Sequence, residues 1–362
     1  MAAATSGAQS LDKRPLAYIH LFKTAGTTLE SIISRQYGMN AIMKFGSVVE
    51  TADRMREFSS WPEAYQQRIK AFMGHCSYKQ RSLFPKDTVF FSMIRHPVDR
   101  MISEYYFILA SPEIVHYPKV VGEKMSLTDF MRSGIHNSLD NYQTKYLSSL
   151  KNPGFGVYSE ELLEDAKKNL KENFAFTGLT ERFDESVILM KRLFGWKLPY
   201  YMRERVTKRR PRREEVPAGD IAVLEEYNRM DLELYQYAEE LLDEEIGKQG
   251  NGYESDLKTF KLINKHCTSL GSSLSQIPLA NNDEFILLLQ TINKTLDQRT
   301  FDEVELLMEF GRQRFPNMPE MTSIEAMVNI QLQNLRKVNA LRDTVISTTK
   351  RVEGIDLDAD TL

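Results

Sequence analysis

The chain has 362 residues, 42% hydrophobic and 27% charged, which is the balance of a folded protein with enough chain for a sizeable core. The formal net charge is only −3, so no overall charge points to nucleic acid or an anionic membrane as a partner. Two distant cysteines make no disulfide framework, and no signal peptide or long apolar run occurs. We therefore expect a cytoplasmic protein without a membrane span.

After a leader, residues 1–13, that we expect to be disordered, the chain alternates short apolar runs with polar turns and helical segments. Three such runs occur, at 16–22, 89–94 and 174–179, and helical spacing follows each of them. Continuous apolar strands alternating with helices predict an α/β fold with a central parallel sheet flanked by helices. Ligands of such sheets bind at the carboxyl ends of the strands, where the polar turns lie.

The C-terminal part has a different character. The α/β domain is predicted to cover 14–250 and to end with an amphipathic helix near 220–245. A linker is predicted at 251–275 because Gly, Ser, Asn and Lys are frequent there. An all-helical extension over 276–350, similar to degenerate tetratricopeptide hairpins and a candidate for homo-oligomer contacts, is predicted from four helical segments at about 282–297, 301–315, 323–334 and 335–350. An acidic tail, 351–362, closes the chain.

The turn after the first strand has the composition of an anion site. It reads Lys23, Thr24, Ala25, Gly26, Thr27 and Thr28. Unpaired N–H groups and the dipole at the start of the next helix favour a phosphate or sulfate. Lys23 adds a charge, Thr27 and Thr28 add hydroxyls, and Gly26 permits close approach. A helix start capped by threonine is the plainer alternative.

A nucleotide triphosphatase loop is a poor match for this turn. In that loop the lysine follows the glycines, whereas here Lys23 precedes Gly26. The second strand is followed by the cation Arg95 where such enzymes place a carboxylate for Mg²⁺. The pattern favours a nucleotide with a further phosphate over a metal-bound one.

The turn after the second strand is the second predicted anion site. Arg95 lies in the turn, Pro97 fits the first helical position, and Ser103 lies two turns into the helix. Arg95 can fork onto a phosphate while Ser103 donates its hydroxyl. Arg100 is spaced to join them, although an ion pair with Asp99 or Glu104 is the favoured interpretation.

Several segments together resemble one family, the carbohydrate sulfotransferases related to heparan sulfate 2-O- and 6-O-sulfotransferases. The resemblance covers roughly residues 15–245. Its segments are 20–28, the spacing Arg95-x-Pro97-x-x-Arg100-x-x-Ser103, and 74–78, 140–147, 178–183 and 228–235. It departs at Phe22, where the family commonly has proline, and in the last hundred or so residues.

The resemblance implies a sulfotransferase fold and sulfuryl transfer from 3′-phosphoadenosine 5′-phosphosulfate (PAPS), with 3′-phosphoadenosine 5′-phosphate (PAP) as product and no metal required. The Lys23–Thr28 turn would hold the phosphosulfate, and Arg95 and Ser103 would hold the 3′-phosphate. The acceptor is expected to be a hydroxyl, or less readily an amine, of a small molecule or glycan.

His75 is the candidate general base. Imidazole titrates near neutral pH, as a general base requires, and the apolar run 71–73 just before His75 places it at the end of a strand. A structural histidine is its alternative. His116 and His136 could face the acceptor, but no pattern supports them. The basic run 203–213 contains Lys208, Arg209 and Arg210, predicted to contact the nucleotide, though the run also fits an acceptor grip or a solvated loop.

Two other functions remain open at this point. A phosphoryl-transfer enzyme, such as a kinase, would bind ATP with Mg²⁺. A non-catalytic interaction protein would use its helical tail and ignore nucleotides.

Overall fold

The computed structural model describes residues 14–201, 210–250, 252–270, 281–298, 300–316 and 318–353. The described residues form two compact units. The first contains the chain up to Phe260 together with 267–270, and the second contains Lys261–His266 and the chain from Asn281 onward. The predicted leader and acidic tail lie largely outside the described residues.

A five-stranded parallel sheet is the centre of the first unit and confirms the predicted α/β class. The strands are β1 Leu16–Ile19, β2 Ile42–Phe45, β3 Ala71–Gly74, β4 Val89–Ile94 and β5 Phe174–Leu179. β1, β3 and β4 are buried throughout, as expected of strands covered on both faces. β2 alternates half-buried and buried residues, because it lies at the sheet edge.

The strand order is β2-β3-β1-β4-β5, which fixes where a ligand binds. After β1 the chain continues toward β2 on one side, and after β4 it continues toward β5 on the other. The carboxyl ends of β1 and β4 are therefore the switch point at which ligands bind in open α/β sheets. Both predicted anion turns start there.

Helices cover the sheet. They are α1 Gly26–Tyr37, α2 Val48–Ser59, α3 Glu63–Gln66, α4 Pro97–Leu109, α5 Tyr117–Gly122, α6 Leu127–Arg132, α7 Tyr142–Leu147, α8 Glu160–Glu172, α9 Phe183–Phe194, α10 Ala218–Tyr227 and α11 Arg229–Gly247. The helix predicted at 220–245 is therefore two helices. Asn228 separates α10 from α11, because its side chain bonds the Leu224 carbonyl oxygen and the Asn141 amide.

The segment predicted to be a linker, 251–275, contains the helix α12 Tyr253–Leu270, with buried Phe260 and Ile263. The second unit contains α13 Asn281–Asp297, α14 Phe301–Arg314 and α15 Pro319–Glu353. Two helices predicted at 323–334 and 335–350 are one continuous helix, α15. No helix in the described part of the chain combines the length and apolar character needed to cross a membrane.

Candidate active site at the ends of β1 and β4

The turn after β1 holds two non-glycine residues in the left-handed region. Lys23 has φ 66° and Ala25 has φ 60°. Backbone strain of this kind costs about 1–3 kcal/mol per residue and persists where the surroundings enforce it. Ala25 caps α1 without a side-chain hydrogen bond, and no acidic residue lies in the first turn of α1. The N–H groups that begin α1 thus face an environment suited to an anion.

The side chains of the turn divide between the interior and the site. Thr24 is fully buried, and its hydroxyl donates to the Leu21 carbonyl oxygen at 2.9 Å, so only its backbone is suited to a ligand. Thr28 is buried and Thr27 is half-buried. Lys23 places its ammonium 3.9 Å from the centre of the Phe107 ring on α4, a cation–π contact that positions the charge.

Gly26 leaves room for the ring of His20, a contact that the sequence did not predict. A Cβ at this position would lie 1.7 Å from Nε2 of His20. The His20 ring is fixed from its other side, where Nδ1 lies 2.8 Å from the Glu30 carboxylate. Gly26 is therefore needed for the packing of His20 beneath the turn.

Replacing Gly26 with alanine is expected to destabilise the protein by about 1–3 kcal/mol, because the methyl group overpacks against His20. Urea unfolding measures this change. Gly122→Ala is the matched control, since nothing lies within 4 Å of a Cβ there. Equal stability of the two variants would show that His20 moves aside freely.

The turn after β4 is in direct contact with the turn after β1. Arg95 donates from its guanidinium Nη1 to the Lys23 carbonyl oxygen at 3.0 Å. The Arg95 backbone is clamped by Gln143, whose amide oxygen accepts from the Arg95 N–H and whose amide nitrogen donates to the Arg95 carbonyl oxygen, both at 2.8 Å. The two anion turns are close enough for one ligand to span both.

Two segments singled out by the family resemblance, 140–147 and 228–235, meet behind Arg95. Asp231 accepts hydrogen bonds from the backbone of Gln143 at 3.0 Å and of Thr144 at 2.7 Å. The Asn141 side chain accepts from the Met230 amide at 2.8 Å. Their shared effect is to hold Gln143, and through it the backbone of Arg95, in one position.

The Arg95 guanidinium is incompletely paired by protein groups. Its Nε is buried without a hydrogen-bond partner among the described residues and lies 3.6 Å from Glu181. Burial, aided by the charge of Arg210, lowers the pKa of Arg95. Burial raises the pKa of Glu181 despite the charge of Arg95. Both pKa shifts show that burial disfavours the charged forms of Arg95 and Glu181. An anion that accepts hydrogen bonds from Arg95 would stabilise its charged form.

Cations gather where α4 begins. Arg210 donates to the Asp99 carbonyl oxygen at 3.0 Å, and Arg213 lies 2.8 Å from Nε2 of His96. The basic run thus reaches the second anion turn at its described end. Lys208 and Arg209, the other predicted nucleotide contacts in this run, lie outside the described residues.

Ser103 and Arg100 on α4 are the other two polar residues of the motif that begins with Arg95, and they differ in what they contact. Ser103 is buried, with 6% of its surface exposed, two turns from the helix start. Arg100 is fully buried and pairs with Glu104 at 2.8 Å, which confirms the ion-pair interpretation. Its guanidinium also lies over the Tyr142 ring at 5.0 Å. Arg100 is therefore occupied by the protein interior.

His75 follows β3 directly and lies beside the first anion turn. Gly74 adopts φ 146°, and a Cβ there would lie 2.1 Å from the Phe45 carbonyl oxygen, so the chain turns at a glycine to present His75. The His75 ring packs between the rings of His20 and Phe22, with ring-centre distances of 4.3 Å and 4.2 Å. Its Nδ1 lies 2.9 Å from the His20 carbonyl oxygen, so Nδ1 carries the proton and Nε2 keeps a lone pair.

Burial, together with the charge of His20, lowers the pKa of His75 from 6.5 to about 4. The folded state therefore prefers neutral His75, and the stability this provides is present above pH 6.5 and lost as the pH falls toward 4. Relative to His75→Phe, the wild-type protein should lose up to roughly 3 kcal/mol between pH 7.5 and 4. Urea unfolding of both proteins across this range measures it; a constant difference would contradict the shift.

Other reactive groups are less suited to chemistry. Cys76 is a buried free thiol, and burial raises its pKa to about 12, so it is protonated and a poor nucleophile. Across the part of the chain that the structure describes, no group of three or more His, Cys, Asp or Glu side chains could hold a metal ion.

Sequence reasoning missed the side chains that support the site. Gln143 and Glu181 contact the Arg95 turn from positions 48 and 85 residues away from their partners. Glu30 fixes His20, whose carbonyl oxygen in turn fixes His75. The resemblance marked the segments of Gln143 and Glu181 without indicating what these residues contact, and no local pattern marks Glu30.

Comparison with known proteins agrees with the family resemblance found in the sequence. The model of the sulfotransferase family matches residues 10–238. Heparan sulfate 2-O-sulfotransferase 1 of Gallus gallus is 24% identical over 271 residues, covering 69% of this chain and 72% of the relative. Heparan-sulfate 6-O-sulfotransferase 1 of Homo sapiens is 28% identical, covering 44% of each chain. Galactose-3-O-sulfotransferase 3 of Bos taurus is 23% identical, covering 61% of this chain and 55% of the relative.

Proposed function

The chain belongs to the sulfotransferase family, and from this premise we propose that the turns after β1 and β4 hold the two ends of one PAPS molecule. The enzyme is a PAPS-dependent sulfotransferase that transfers a sulfuryl group. The observation that carries the placement of the donor is the 3.0 Å hydrogen bond from Arg95 to the Lys23 carbonyl oxygen, which puts both turns within reach of one nucleotide.

The 5′-phosphosulfate is proposed to lie on the turn Lys23, Thr24, Ala25, Gly26, Thr27 and Thr28, mainly on the N–H groups that begin α1. The 3′-phosphate is proposed to lie on Arg95, with Ser103 donating a hydroxyl and with Lys208, Arg209 and Arg210 as further contacts to the nucleotide. Support comes from the start of α1, where the N-cap residue Ala25 makes no side-chain hydrogen bond, and from the buried Nε of Arg95, which has no hydrogen-bond partner among the described residues. A phosphate accepts hydrogen bonds from both kinds of donor.

In the transfer, the acceptor oxygen forms a bond to sulfur while the bond from sulfur to the 5′-phosphate oxygen breaks. Charge grows on the leaving phosphate, where Lys23 and the α1 N–H groups stabilise it, and one such donor contributes about 3 kcal/mol. The acceptor proton passes to Nε2 of His75, which is neutral in the folded protein. The scheme requires no metal ion.

The acceptor is proposed to be a hydroxyl of a glycan or of a small molecule, with an amine as a less suitable alternative. The names of the relatives point to heparan sulfate and galactose acceptors for those proteins. We extend to this chain only the class, a sugar hydroxyl. A cytoplasmic location is proposed from the buried free thiol of Cys76, which suits a reducing compartment.

The C-terminal helices are proposed to mediate homo-oligomer formation. α15 exposes large apolar side chains on its surface, namely Met327, Ile330, Val338 and Leu341. Apolar residues recurring along one helix support pairing with a second helix.

Labelled PAPS and three hydroxyl probes test the function: desulfated heparan sulfate, a galactose-terminated oligosaccharide and 4-nitrophenol. Label transfer to at least one probe is expected, with PAP raising the melting temperature. Stabilisation by ATP with Mg²⁺ but not by PAP would instead indicate phosphoryl transfer. No response to any nucleotide would indicate an interaction protein.

A further inference from the structure

A second histidine lies near the reacting end of the proposed donor, beside the same Phe22 ring that contacts His75. The Phe22 ring centre is 4.2 Å from that of His75 and 5.9 Å from that of His136. Phe22 directly precedes Lys23, so both imidazoles lie near the turn proposed to hold the phosphosulfate. The His136 side chain is 31% exposed, which leaves it accessible to a substrate.

His136 is held from behind by a chain of hydrogen bonds. Its Nδ1 contacts the Ser138 hydroxyl and lies 3.3 Å from the Glu104 carboxylate, and the Ser138 hydroxyl donates to the same carboxylate. Glu104 is buried and accepts from Arg100 at 2.8 Å. Burial alone would raise the pKa of Glu104, but the bonds from His136 and Ser138 and the charge of Arg100 lower it to about 2, so Glu104 is ionised.

Two acceptors near Nδ1, the Ser138 oxygen and the Glu104 carboxylate, favour the neutral imidazole that carries its proton on Nδ1. Ionised Glu104 can only accept, so the Ser138 hydroxyl spends its single proton on Glu104. The Ser138 oxygen is then left to accept from Nδ1–H of His136, at a shorter distance than the 3.4 Å at which the Ser138 N–H faces the same nitrogen. Nε2 of neutral His136 is left as a hydrogen-bond acceptor, and no described residue donates to it.

We propose that Nε2 of His136 binds the acceptor substrate by accepting a hydrogen bond from one of its hydroxyl or amine groups, while His75 takes the reacting proton. The inference rests on the proposed function, since it places the acceptor beside Phe22. A lone pair on Nε2 repels an anionic oxygen, so the group bound here is a neutral or cationic hydrogen-bond donor. Ser138 and Glu104 act as positioning residues.

Two substitutions at His136 separate substrate binding from a structural role. Asparagine keeps an N–H near the place of Nδ1 and so keeps the bond to Ser138, but has nothing at Nε2. Glutamine offers an amide oxygen near the place of Nε2. His136→Asn should raise the KM for the acceptor about tenfold with kcat nearly unchanged, the loss of one hydrogen bond. His136→Gln should recover part of that loss.

The assay uses the best of the three hydroxyl probes named above, with KM and kcat measured for that probe and for PAPS. The KM for PAPS and the melting shift with PAP should stay at wild-type values in both variants. A wild-type acceptor KM for His136→Asn would overturn the proposal, as would a fall in kcat alone, which would make His136 a proton acceptor. A wild-type enzyme that binds PAP but modifies no probe would overturn the proposed acceptors and this inference together, while the nucleotide site would stand.

Discussion

Lys23→Ala is expected to lower kcat by about 10²–10³-fold, because the ammonium that stabilises the leaving phosphate oxygen is lost. PAPS affinity should fall less, by about tenfold, since in PAPS the oxygen that leaves carries less charge than in the transition state and the N–H groups of α1 remain. The loss in kcat is the part of the interaction that grows between the bound donor and the transition state. Single-turnover transfer and calorimetric titration with PAPS in the absence of acceptor measure the two quantities.

Two variants accompany this measurement. Lys23→Arg keeps the charge and should restore part of the rate. Lys86→Ala removes an exposed lysine just before β4, at the opposite end of the strand, and should be as active as the wild type. A kcat for Lys23→Ala within a few-fold of the wild-type value would remove Lys23 from the chemistry.

Arg95→Ala is expected to weaken PAP binding by about 10–100-fold, the loss of charge-assisted hydrogen bonds to the 3′-phosphate. Adenosine 5′-monophosphate, which lacks that phosphate, should lose only a few-fold. The ratio of the two affinities therefore isolates the 3′-phosphate from general damage to the site. Calorimetric titration of wild-type and variant protein with both nucleotides gives that ratio.

Arg95 also donates to the Lys23 carbonyl oxygen, so its removal could disturb the neighbouring turn. If both nucleotides lost affinity equally, Arg95 would support the turn and the 3′-phosphate would lie elsewhere. Arg68→Ala is the matched control, because Arg68 is exposed and its guanidinium rests on Tyr65.

Local sequence predicted most of the strands and missed β2, which lies at one of the two edges of the sheet. β1, β4 and β5 stand out because each is a short, nearly continuous apolar run. β2 was not predicted, since an edge strand of four residues with half-buried Lys44 resembles a turn. The break at Asn228 also escaped prediction, because a hydrogen bond to Asn141, 87 residues away, makes it.

The candidate site, too, was predicted from the sequence only in part. Its two turns were found from local features, a lysine and glycine before a helix and an arginine and proline before another. Thr24 was expected to contact the nucleotide, yet its hydroxyl is turned inward to Leu21. Its direction depends on the left-handed backbone at Lys23 and Ala25, which their residue types do not reveal. The chain of hydrogen bonds behind His136 was not predicted either, because it depends on Arg100 and Glu104 in the core.

A crystal structure of the protein with PAP tests the central claim most directly. The 5′-phosphate should accept hydrogen bonds from the N–H groups at the start of α1, and the 3′-phosphate should accept from Arg95, so that one adenosine bridges the ends of β1 and β4. Either phosphate bound away from its turn, or the nucleotide seated at another edge of the sheet, would contradict the account.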